Sequence, residues 1–292
     1  MMKNFHLKLK LSILVVLLLG AIFSLYAAFR EERNGILTVS FLNVGQGDAI
    51  FIDAPSGNQL LIDGGPGKSV LRELSKVMPF YDRSIDVVIA THADQDHVGG
   101  LPDVLRKYKV NLFMESGVPG ESSSYQELEK IVSSTSSSEG EAGTKKLLAR
   151  RGMVIDLGDG AILQILFPDR DPAGMETNMA SIVARLVYGE NEFLLTGDSP
   201  QTIEHYLISL GSLQSDVLKA GHHGSKTSTS AEFVSAVSPQ YAVISVGKDN
   251  KYGHPNKETL DTLNNFGAKI LRTDELGAIV FKSDGTNLVL KN

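Results

Sequence analysis

The chain contains neither cysteine nor tryptophan among its 292 residues. Without cysteine it forms no disulfide bond and offers no thiolate to a metal ion, so any metal site has to be built from histidine and carboxylate side chains. Aromatic residues amount to only 7% of the chain, which leaves few flat side chains on which nucleic-acid bases could stack. The length and the 42% of hydrophobic residues suffice for the core of one large domain.

Positive charge is also scarce once the first 33 residues are set aside. The whole chain has 28 Lys and Arg against 34 Asp and Glu, and residues 1–33 contain five basic and two acidic residues, so the remainder has 23 basic and 32 acidic residues and a net charge of −9. An acidic domain does not attract nucleic acid through its overall field. Nucleic-acid binding would therefore need a local basic patch or metal ions.

One long hydrophobic run, LSILVVLLLGAIFSLYAAF, occupies residues 11–29. As a helix its 19 residues would extend about 28 Å, enough to cross the hydrocarbon core of a bilayer. Lysines precede the run, whereas the charges of REER after it cancel. The pattern predicts a single-pass anchor in the cell membrane, with residues 1–33 as cytoplasmic end and anchor and the rest outside the cytoplasm. A cleaved signal peptide, which would leave a secreted protein, is the alternative.

Short apolar strands, glycine turns and amphipathic helices make up the chain from residue 35 to 292. In both halves strands first run as hairpins and then alternate with helices. This order predicts an α/β (α+β) fold in one domain, with two mixed sheets and the helices outside. The stretch at 122–151 is rich in Ser, Glu and Lys, and we expect a flexible insertion or lid with polar helices at YQELEKIV and TKKLLARR.

Five of the seven histidines lie in three short loops, THADQDHVGG, KAGHHGS and YGHP. The polar residues of these loops that a metal could use are His92, Asp94, Asp96, His97, His222, His223 and His254. The first two loops follow apolar strands, whose ends present ligands to a common point. A lone histidine would more simply be a polar loop residue. Imidazole and carboxylate in this combination predict a divalent metal centre.

Asp198, in LLTGDSP, lies between a predicted strand and a predicted helix. A residue in this place is commonly a helix cap. Here, however, Ser199 stands directly before Pro200, a residue type favoured at the first position of a helix. We therefore expect Ser199 to cap the helix and the Asp198 carboxylate to remain free to bridge metal ions.

The motifs THADQDHVGG, LLTGD and GHHGS, in this order and spacing, resemble the metallo-β-lactamase fold. The motifs NVGQGDA, LIDGG, LKAGHHGSKTSTS, YGHP and RTDELGAI resemble more narrowly the carboxy-terminal domain of the ComEC competence proteins, over roughly residues 37–281. The resemblance implies a four-layer αββα sandwich with a metal site at the shared edge of the two sheets. It also implies a metal-dependent hydrolase, in this branch a phosphodiesterase or nuclease acting on DNA.

Carried over position by position, the resemblance implies two metal sites. One would use His92, Asp94 and Asp198, with Asp94 where the family has a histidine. The other would use Asp96, His97, Asp198 and His222, with His222 preferred to His223 because it comes first after the strand. The family histidine before the bridging aspartate is absent. Because oxygen ligands replace nitrogen, we expect one or two divalent ions, Mn²⁺ or Zn²⁺.

The expected reaction is hydrolysis by water that a divalent ion activates. The side chains expected to orient the water, hold the phosphate or protonate the leaving group are Asp96, Asp198, His223, His254 and Lys226, with hydrogen bonds from Ser225 and Thr227. Lys226 and His254 have the alternative of being ordinary solvated loop residues. Asp48 and Asp63 are expected to orient the ligands rather than bind the metal.

Two other functions are compatible with the same residues. The metal centre could hydrolyse another ester, amide or lactam, which the net charge of −9 outside residues 1–33 favours. Alternatively, the domain could be a non-catalytic anchored binding module whose metal site has decayed, as the missing histidine suggests. The hydroxyl-rich and basic stretch SKTSTS beside the histidine pair favours DNA or another phosphodiester as the partner. The membrane would be a second partner, through residues 11–29.

Overall fold

The computed structural model describes residues 2–33, 35–136 and 143–291, and within the first helix it describes the side chains of Lys8 and residues 10–24. The helices are α1 (Met2–Arg33), α2 (Ser69–Val77), α3 (Gln95–Val98), α4 (Leu101–Lys107), α5 (Ser123–Ser136), α6 (Gln201–Leu210), α7 (Ala231–Val237), α8 (Lys257–Asn265) and α9 (Thr273–Leu276). Single 3₁₀ turns lie at Asn178–Ala180 and Gly221–Gly224.

The strands fall into two sheets. Those of the first sheet, in chain order, are β1 (Leu37–Phe41), β2 (Ile50–Asp53), β3 (Gln59–Ile62), β4 (Ser84–Ala90), β5 (Lys109–Glu115), β6 (Lys145–Leu148), β14 (Ile279–Ser283) and β15 (Leu288–Lys291). Those of the second are β7 (Val154–Gly158), β8 (Ala161–Phe167), β9 (Val183–Tyr188), β10 (Asn191–Leu195), β11 (Val217–Lys219), β12 (Tyr241–Ile244) and β13 (Lys269–Arg272).

Both sheets are mixed, as the sequence predicts. The first has the order β15-β14-β1-β2-β3-β4-β5-β6, with parallel pairing from β3 to β6 and antiparallel hairpins on the other side. The second has the order β13-β12-β11-β10-β9-β8-β7, with parallel pairing from β10 to β13. Antiparallel strands need only short turns, whereas each parallel pair needs a crossover, which the helices supply.

Alternation along each strand divides the core into three layers. In β2, Ile50 and Ile52 face a cluster between the two sheets, while Phe51 packs against the helices. In β10, Phe193 lies in the same central cluster and Leu194 packs on the opposite side, against the second set of helices. Successive side chains of a strand point to opposite faces of its sheet. Since the side chains on both faces are buried, each sheet is covered on both sides. The architecture is therefore the expected four-layer αββα sandwich.

The sequence TKKLLARR, which we predicted to be helical, instead contains strand β6. It pairs in parallel with β5, with Leu112 opposite Lys145 and Glu115 opposite Leu148. Its four residues are exposed or half-buried, so the alternation that identifies a strand is faint. The other predicted polar helix, at YQELEKIV, is confirmed as part of α5.

The stretch at 122–151 has buried as well as exposed parts. Leu128 and Val132 of α5 are buried in the cluster between the first sheet and its helices. Residues 137–142, which include the most polar part of the stretch, lie outside the described residues. Flexibility of the segment therefore stays a prediction.

Helix α1 contains the hydrophobic run at residues 11–29, and its large apolar side chains from Leu11 to Phe23 are exposed. Over the residues that the structure describes, no helix combines the length and the hydropathy required to cross a bilayer. The side chains of residues 25–29, at the end of the run, lie outside the described part. The membrane anchor is thus not confirmed and stays a prediction.

Candidate metal centre

His97 is held at the end of β4 by a buried carboxylate. Its Nδ1 lies 2.8 Å from Oδ2 of Asp63, the residue that follows β3. Asp63 also accepts hydrogen bonds from the Thr91 backbone N–H, at 2.8 Å, and from Thr91 Oγ1, at 2.7 Å. The ring is thereby oriented so that Nε2 lies 3.3 Å from Oδ2 of Asp198. This geometry fits the role of orienting a ligand, which stays a prediction for Asp63.

Close backbone contact between two glycine-containing turns brings His97 to this place. A Cβ on Gly100 would lie 2.2 Å from the carbonyl oxygen of Gly64, and the Gly64 N–H donates to the His97 carbonyl at 2.6 Å. A larger residue at Gly100 would separate the loop that contains His97 from the loop that contains Asp63.

His223 reaches the same carboxylate from the second sheet. Its Nδ1 donates to the Ser245 carbonyl at 2.9 Å, and its Nε2 lies 3.4 Å from Asp198 Oδ2 and 3.3 Å from Asp96 Oδ2. Both His222 and His223 have left-handed backbone conformations, with φ of 50° and 55°. Side chains other than glycine rarely adopt this conformation, and it is found disproportionately at functional sites.

His92 completes the group from the start of the first histidine loop. The His92 ring lies 4.0 Å from the His97 ring between centroids, and Thr91 Oγ1 is 3.1 Å from His92 Nδ1. Burial and then the neighbouring charge of His97 lower the pKa of His92 to about 3. His92 is therefore a neutral imidazole, the form that binds a metal.

The arrangement fits a divalent cation. Within the described part of the chain, Nε2 of His92, His97 and His223 and Oδ1 of Asp198 are buried without a hydrogen-bond partner. Ligand atoms of His92, His97 and Asp198 lie within 4.8 Å of one another, and so do those of Asp96, His97 and His223. Buried polar atoms without partners are costly, and a cation among them would satisfy all four.

Sequence reasoning overlooked Lys219, the last residue of β11. Its side chain is completely buried; Nζ forms an ion pair with Asp48, lies 3.5 Å from Asp198 Oδ1 and donates to the Gly197 carbonyl at 2.9 Å. Burial alone would lower the pKa of Lys219, but Asp48 and Asp198 raise it above its usual range. The sequence does contain one sign of a buried charge here, namely a lysine within the apolar strand segment VLKA.

Asp48 lies beside His223 and, with Asp198 and His223, forms another of the groups that could hold a metal, so its role in orienting a ligand stays a prediction. Its Oδ1 is 3.5 Å from His223 Nδ1, so it faces the side of the ring that points away from Asp198. Burial would raise the pKa of Asp48, but the adjacent Lys219 ammonium and His223 lower it well below its usual range. Asp48 is thus ionised and balances the buried ammonium group.

The electrostatics of the cluster favour ion pairs in the absence of a metal. Burial opposes charge on His97, His223 and Asp198. Their mutual attraction nevertheless raises the pKa of both histidines well above the usual range and lowers that of Asp198 well below it. Protons on the two rings therefore occupy the position that a metal ion would take.

The geometry favours His223 over His222 as a ligand, and the predicted choice of His222 stays untested. His222, which we preferred as a ligand, is half-buried, its Nε2 lies 3.7 Å from Asp198 Oδ2, and its Nδ1 is 3.2 Å from Thr227 Oγ1. His223 is almost fully buried and belongs to the groups that could hold a metal. The left-handed turn at both residues rotates the second ring inward, which linear order along the chain does not reveal.

Two other predicted features also differ. The Asp94 side chain is 41% exposed, with Oδ2 3.7 Å from His92 Nε2, and it belongs to none of the groups of potential ligands found among the described residues. Pro200, not Ser199, occupies the N-cap position of α6, and the buried Ser199 hydroxyl forms no hydrogen bond with any described residue. Asp198 is nevertheless free at the strand end, as predicted.

The remaining predicted residues surround the opening. His254 lies with its ring centroid 5.6 Å from that of His222. Lys226 is exposed, and its backbone N–H donates to Asn256 Oδ1 at 2.8 Å. Ser225 and Thr227 hydrogen-bond to each other at 3.0 Å. Lys226 and Thr227 are exposed and His254 is half-buried, whereas Ser225 is buried.

The family profile described as the Metallo-beta-lactamase superfamily matches residues 42–248. The chain is 32% identical to ComE operon protein 3 of Bacillus subtilis (strain 168), over 84% of this chain and 33% of that protein. It is 30% identical to Competence protein ComA of Neisseria gonorrhoeae, over 91% of this chain and 35% of that protein. The chain therefore spans about a third of the length of the curated relatives it matches.

A solved structure with the same fold is the metallo-beta-lactamase fold protein YhfI from Bacillus subtilis. It superposes with a TM-score of 0.52 at 11% sequence identity, covering 80% of this chain and 96% of that chain. At this identity the likeness shows the fold alone.

Proposed function

The chain belongs to the metallo-beta-lactamase superfamily, which together with its competence-protein relatives supports a ComEC-like metal-dependent hydrolase, and we propose that its substrate is the phosphodiester backbone of DNA. The observation that carries the proposal is the buried group of imidazole nitrogens without partners around Asp198. The choice of DNA rests on the motif resemblance and on the hydroxyl-rich and basic stretch SKTSTS beside the histidine pair.

The chemistry requires a cation and a proton acceptor side by side. A divalent ion held by His92, His97, His223 and Asp198 would act as a Lewis acid towards phosphate and water. Burial opposes ionisation of Asp96, but contact with His223 and the charge of His97 lower its pKa below the usual value. The ionised, partly exposed Asp96 carboxylate is therefore placed to accept a proton from the attacking water.

The opening of the site provides groups for the phosphate. The exposed Lys226 carries a positive charge beside the histidine pair, and Thr227 can donate a hydrogen bond. Burial and the nearby His222 lower the pKa of His254, so its ring is neutral near pH 7. In this proposal Lys226 holds the phosphate, and the neutral His254 ring donates a hydrogen bond to the leaving oxygen, which takes its proton from water.

The donor set also bears on the metal. Three imidazole nitrogens suit Zn²⁺, whereas the carboxylates of Asp198 and Asp96 suit Mn²⁺. We propose one tightly bound ion at His92, His97, His223 and Asp198. Metal analysis of the purified protein, followed by reconstitution with Zn²⁺ or Mn²⁺, would decide between them.

Hydrolysis assays test the proposed substrate. The full chain, loaded with either metal, should cleave single- or double-stranded DNA and a simple phosphodiester model substrate. Removal of the metal by a chelator should abolish the activity. The Asp198→Ala variant serves as the inactive control. A metal-loaded wild-type protein that hydrolyses none of these substrates would show that the proposal is mistaken.

The competing substrate is another ester, amide or lactam, which the net charge of −9 outside residues 1–33 favours. A panel containing a β-lactam and carboxylic esters, assayed under the same conditions, separates it from DNA. The predicted alternative of a decayed metal site has less support, because the ligand atoms of His92, His97 and Asp198 remain grouped.

We also propose that the domain lies outside the cytoplasm and is anchored through residues 11–29. The apolar run and the lysines before it support this arrangement. Membranes washed with carbonate should retain the protein. Protease added to the outside of cells whose cell wall has been removed, but whose cytoplasmic membrane is intact, should degrade the domain. Recovery in the soluble fraction would contradict the anchor.

A further inference from the structure

The loop after β12 presents an exposed aromatic ring beside the metal centre. Asn250 holds this loop in shape: its Oδ1 accepts hydrogen bonds from the N–H groups of Tyr252, at 3.2 Å, and His254, at 3.0 Å, and its Nδ2 donates to the Gly247 carbonyl at 3.0 Å. The Tyr252 side chain remains 56% exposed. The shape of the loop thus does not depend on burying this ring.

Tyr252 and His254 form a stacked pair. Their ring centroids are 5.9 Å apart and the ring planes are inclined by 25°. His254 in turn contacts His222 at 5.6 Å, and His222 lies 3.7 Å from Asp198. A continuous series of ring contacts therefore connects Tyr252 with the proposed metal centre.

Positive charges accompany the ring. Lys251 Nζ lies 5.2 Å from the Tyr252 ring centroid, and Lys226 and Lys248 are exposed on neighbouring loops. A cavity of about 610 Å³ lies next to His254, lined by Lys248, Asp249, Asn250, His254, Arg272, Asp274 and Glu275. Arg272 pairs with both Asp274, at 2.7 Å, and Glu275, at 2.8 Å, so the lysines rather than the cavity lining supply the positive charge.

We propose that Tyr252, stacked on His254, is a binding platform for an unpaired nucleobase of the strand being cleaved. An exposed aromatic ring flanked by lysines is the combination that binds single-stranded nucleic acid, because bases stack on the ring while cations hold the backbone. The inference rests on the proposed phosphodiesterase function and assigns its substrate preference. Bases within a duplex are stacked on each other, so the platform selects unpaired segments.

The absence of tryptophan makes a direct test available. Tyr252→Trp introduces a single tryptophan at the platform, and stacking of a base should quench its fluorescence. Phe80→Trp is the matched control. Phe80 is also exposed, but it lies before the first residue of β4, at the end of the strand away from the metal centre. The probe is a phosphorothioate oligonucleotide, which resists hydrolysis, titrated into the metal-loaded full chain.

Quenching at position 252 but not at position 80 is the expected result. An oligonucleotide that lacks the base at the stacking position, or a blunt duplex, should quench less. Equal behaviour of the two tryptophan variants, or quenching that is independent of the base, would overturn the platform.

Kinetics provide a second readout. The ratio of kcat/KM for an intact single-stranded oligonucleotide to that for one lacking the base should exceed one in the wild-type protein. Tyr252→Ala should reduce this ratio by about tenfold, whereas Tyr252→Phe should preserve it. An unchanged ratio in Tyr252→Ala, with cleavage intact, would overturn the platform and leave the phosphodiesterase proposal standing. If the wild type cleaves no phosphodiester, the proposed function fails, and the quenching experiment alone decides whether the platform binds nucleic acid.

Discussion

The buried side and the open side of the metal centre are built differently. The buried side, which we call the floor, consists of Asp48, Asp63, His97, Asp198, Lys219 and His223, all nearly inaccessible to solvent. The open side, or rim, consists of His222, Lys226, Tyr252 and His254, which are half-buried or exposed. Each floor residue contacts at least one other charged group at fixed distance, whereas the rim residues make mainly local contacts.

The difference separates two tasks. Floor residues cannot move without leaving a buried charge unpaired, so they set the position of the ligands. Rim residues retain rotational freedom and solvent contact, which suits the handling of a variable substrate. Substitutions on the floor should therefore change metal content and stability, and those on the rim should change only the treatment of the substrate.

The largest effect is expected for His97→Ala. The substitution removes one imidazole ligand and leaves Asp63 buried without its main partner, so the metal should be lost and hydrolysis should fall by about a thousandfold or more. Metal content and kcat/KM measure both. Asp94→Ala is the matched control and should cost less than about tenfold, because Asp94 is partly exposed and lies outside the ligand group. Equal losses of metal and of kcat/KM in the two variants would show that Asp94 is a ligand.

Lys219→Met should follow in size. The change keeps the volume of the side chain but leaves Asp48 and Asp198 without their buried ammonium partner, so the metal-free protein should lose about 3–5 kcal/mol of unfolding free energy. Bound metal should restore part of this loss by neutralising Asp198. Chemical denaturation with and without metal measures the effect, and Lys226→Met on the rim is the control. Equal stability of the two variants would show that Lys219 does not hold the floor together.

Metal affinity should depend on pH in a defined direction. In the metal-free protein His97 and His223 have pKa values raised well above the usual range, because Asp198 outweighs the effect of burial. Both rings are then protonated near neutrality, and a metal has to displace these protons. Affinity should rise from about pH 6 to pH 8 by about tenfold per unit for each proton displaced. Calorimetric titration in buffers of different ionisation enthalpy would detect the protons, and a pH-independent affinity would contradict the assignment.

The smallest effect is expected for His222→Ala on the rim. Metal content should be retained, because His222 lies outside the ligand group, and kcat/KM should fall by less than about tenfold. His223→Ala, the adjacent change on the floor, should remove the metal. Loss of metal from His222→Ala alone would reinstate the order predicted from the sequence.

Much of the fold and part of the site were predictable from the sequence. Strands such as β2 and β10 are short apolar runs bounded by turn residues, and this pattern predicts them without any structure. Strand β6 escaped prediction because its four residues are exposed or half-buried and it exists only by pairing with β5. Tertiary pairing overrode a polar sequence that reads as a helix.

The same distinction applies to the site residues. His92, His97 and Asp198 were found because they follow apolar strands, whose ends share one edge. The sequence could not show that the His223 ring is the more deeply buried of the pair, because this depends on a left-handed backbone turn. Lys219 was missed because a single lysine in a strand gives no sign of the two carboxylates that it meets from other loops.

The sequence by itself determined which residue types could form a metal centre: the absence of cysteine left histidine and carboxylate, and the hydrophobic pattern placed them at strand ends. Only the tertiary structure decided which of them point inward. Direction depends on backbone conformation and on partners that lie far away along the chain. Asp63 and Ser245 become neighbours of His97 and His223 when strands pair within each sheet, and Asp48 meets His223 only when the two sheets pack together.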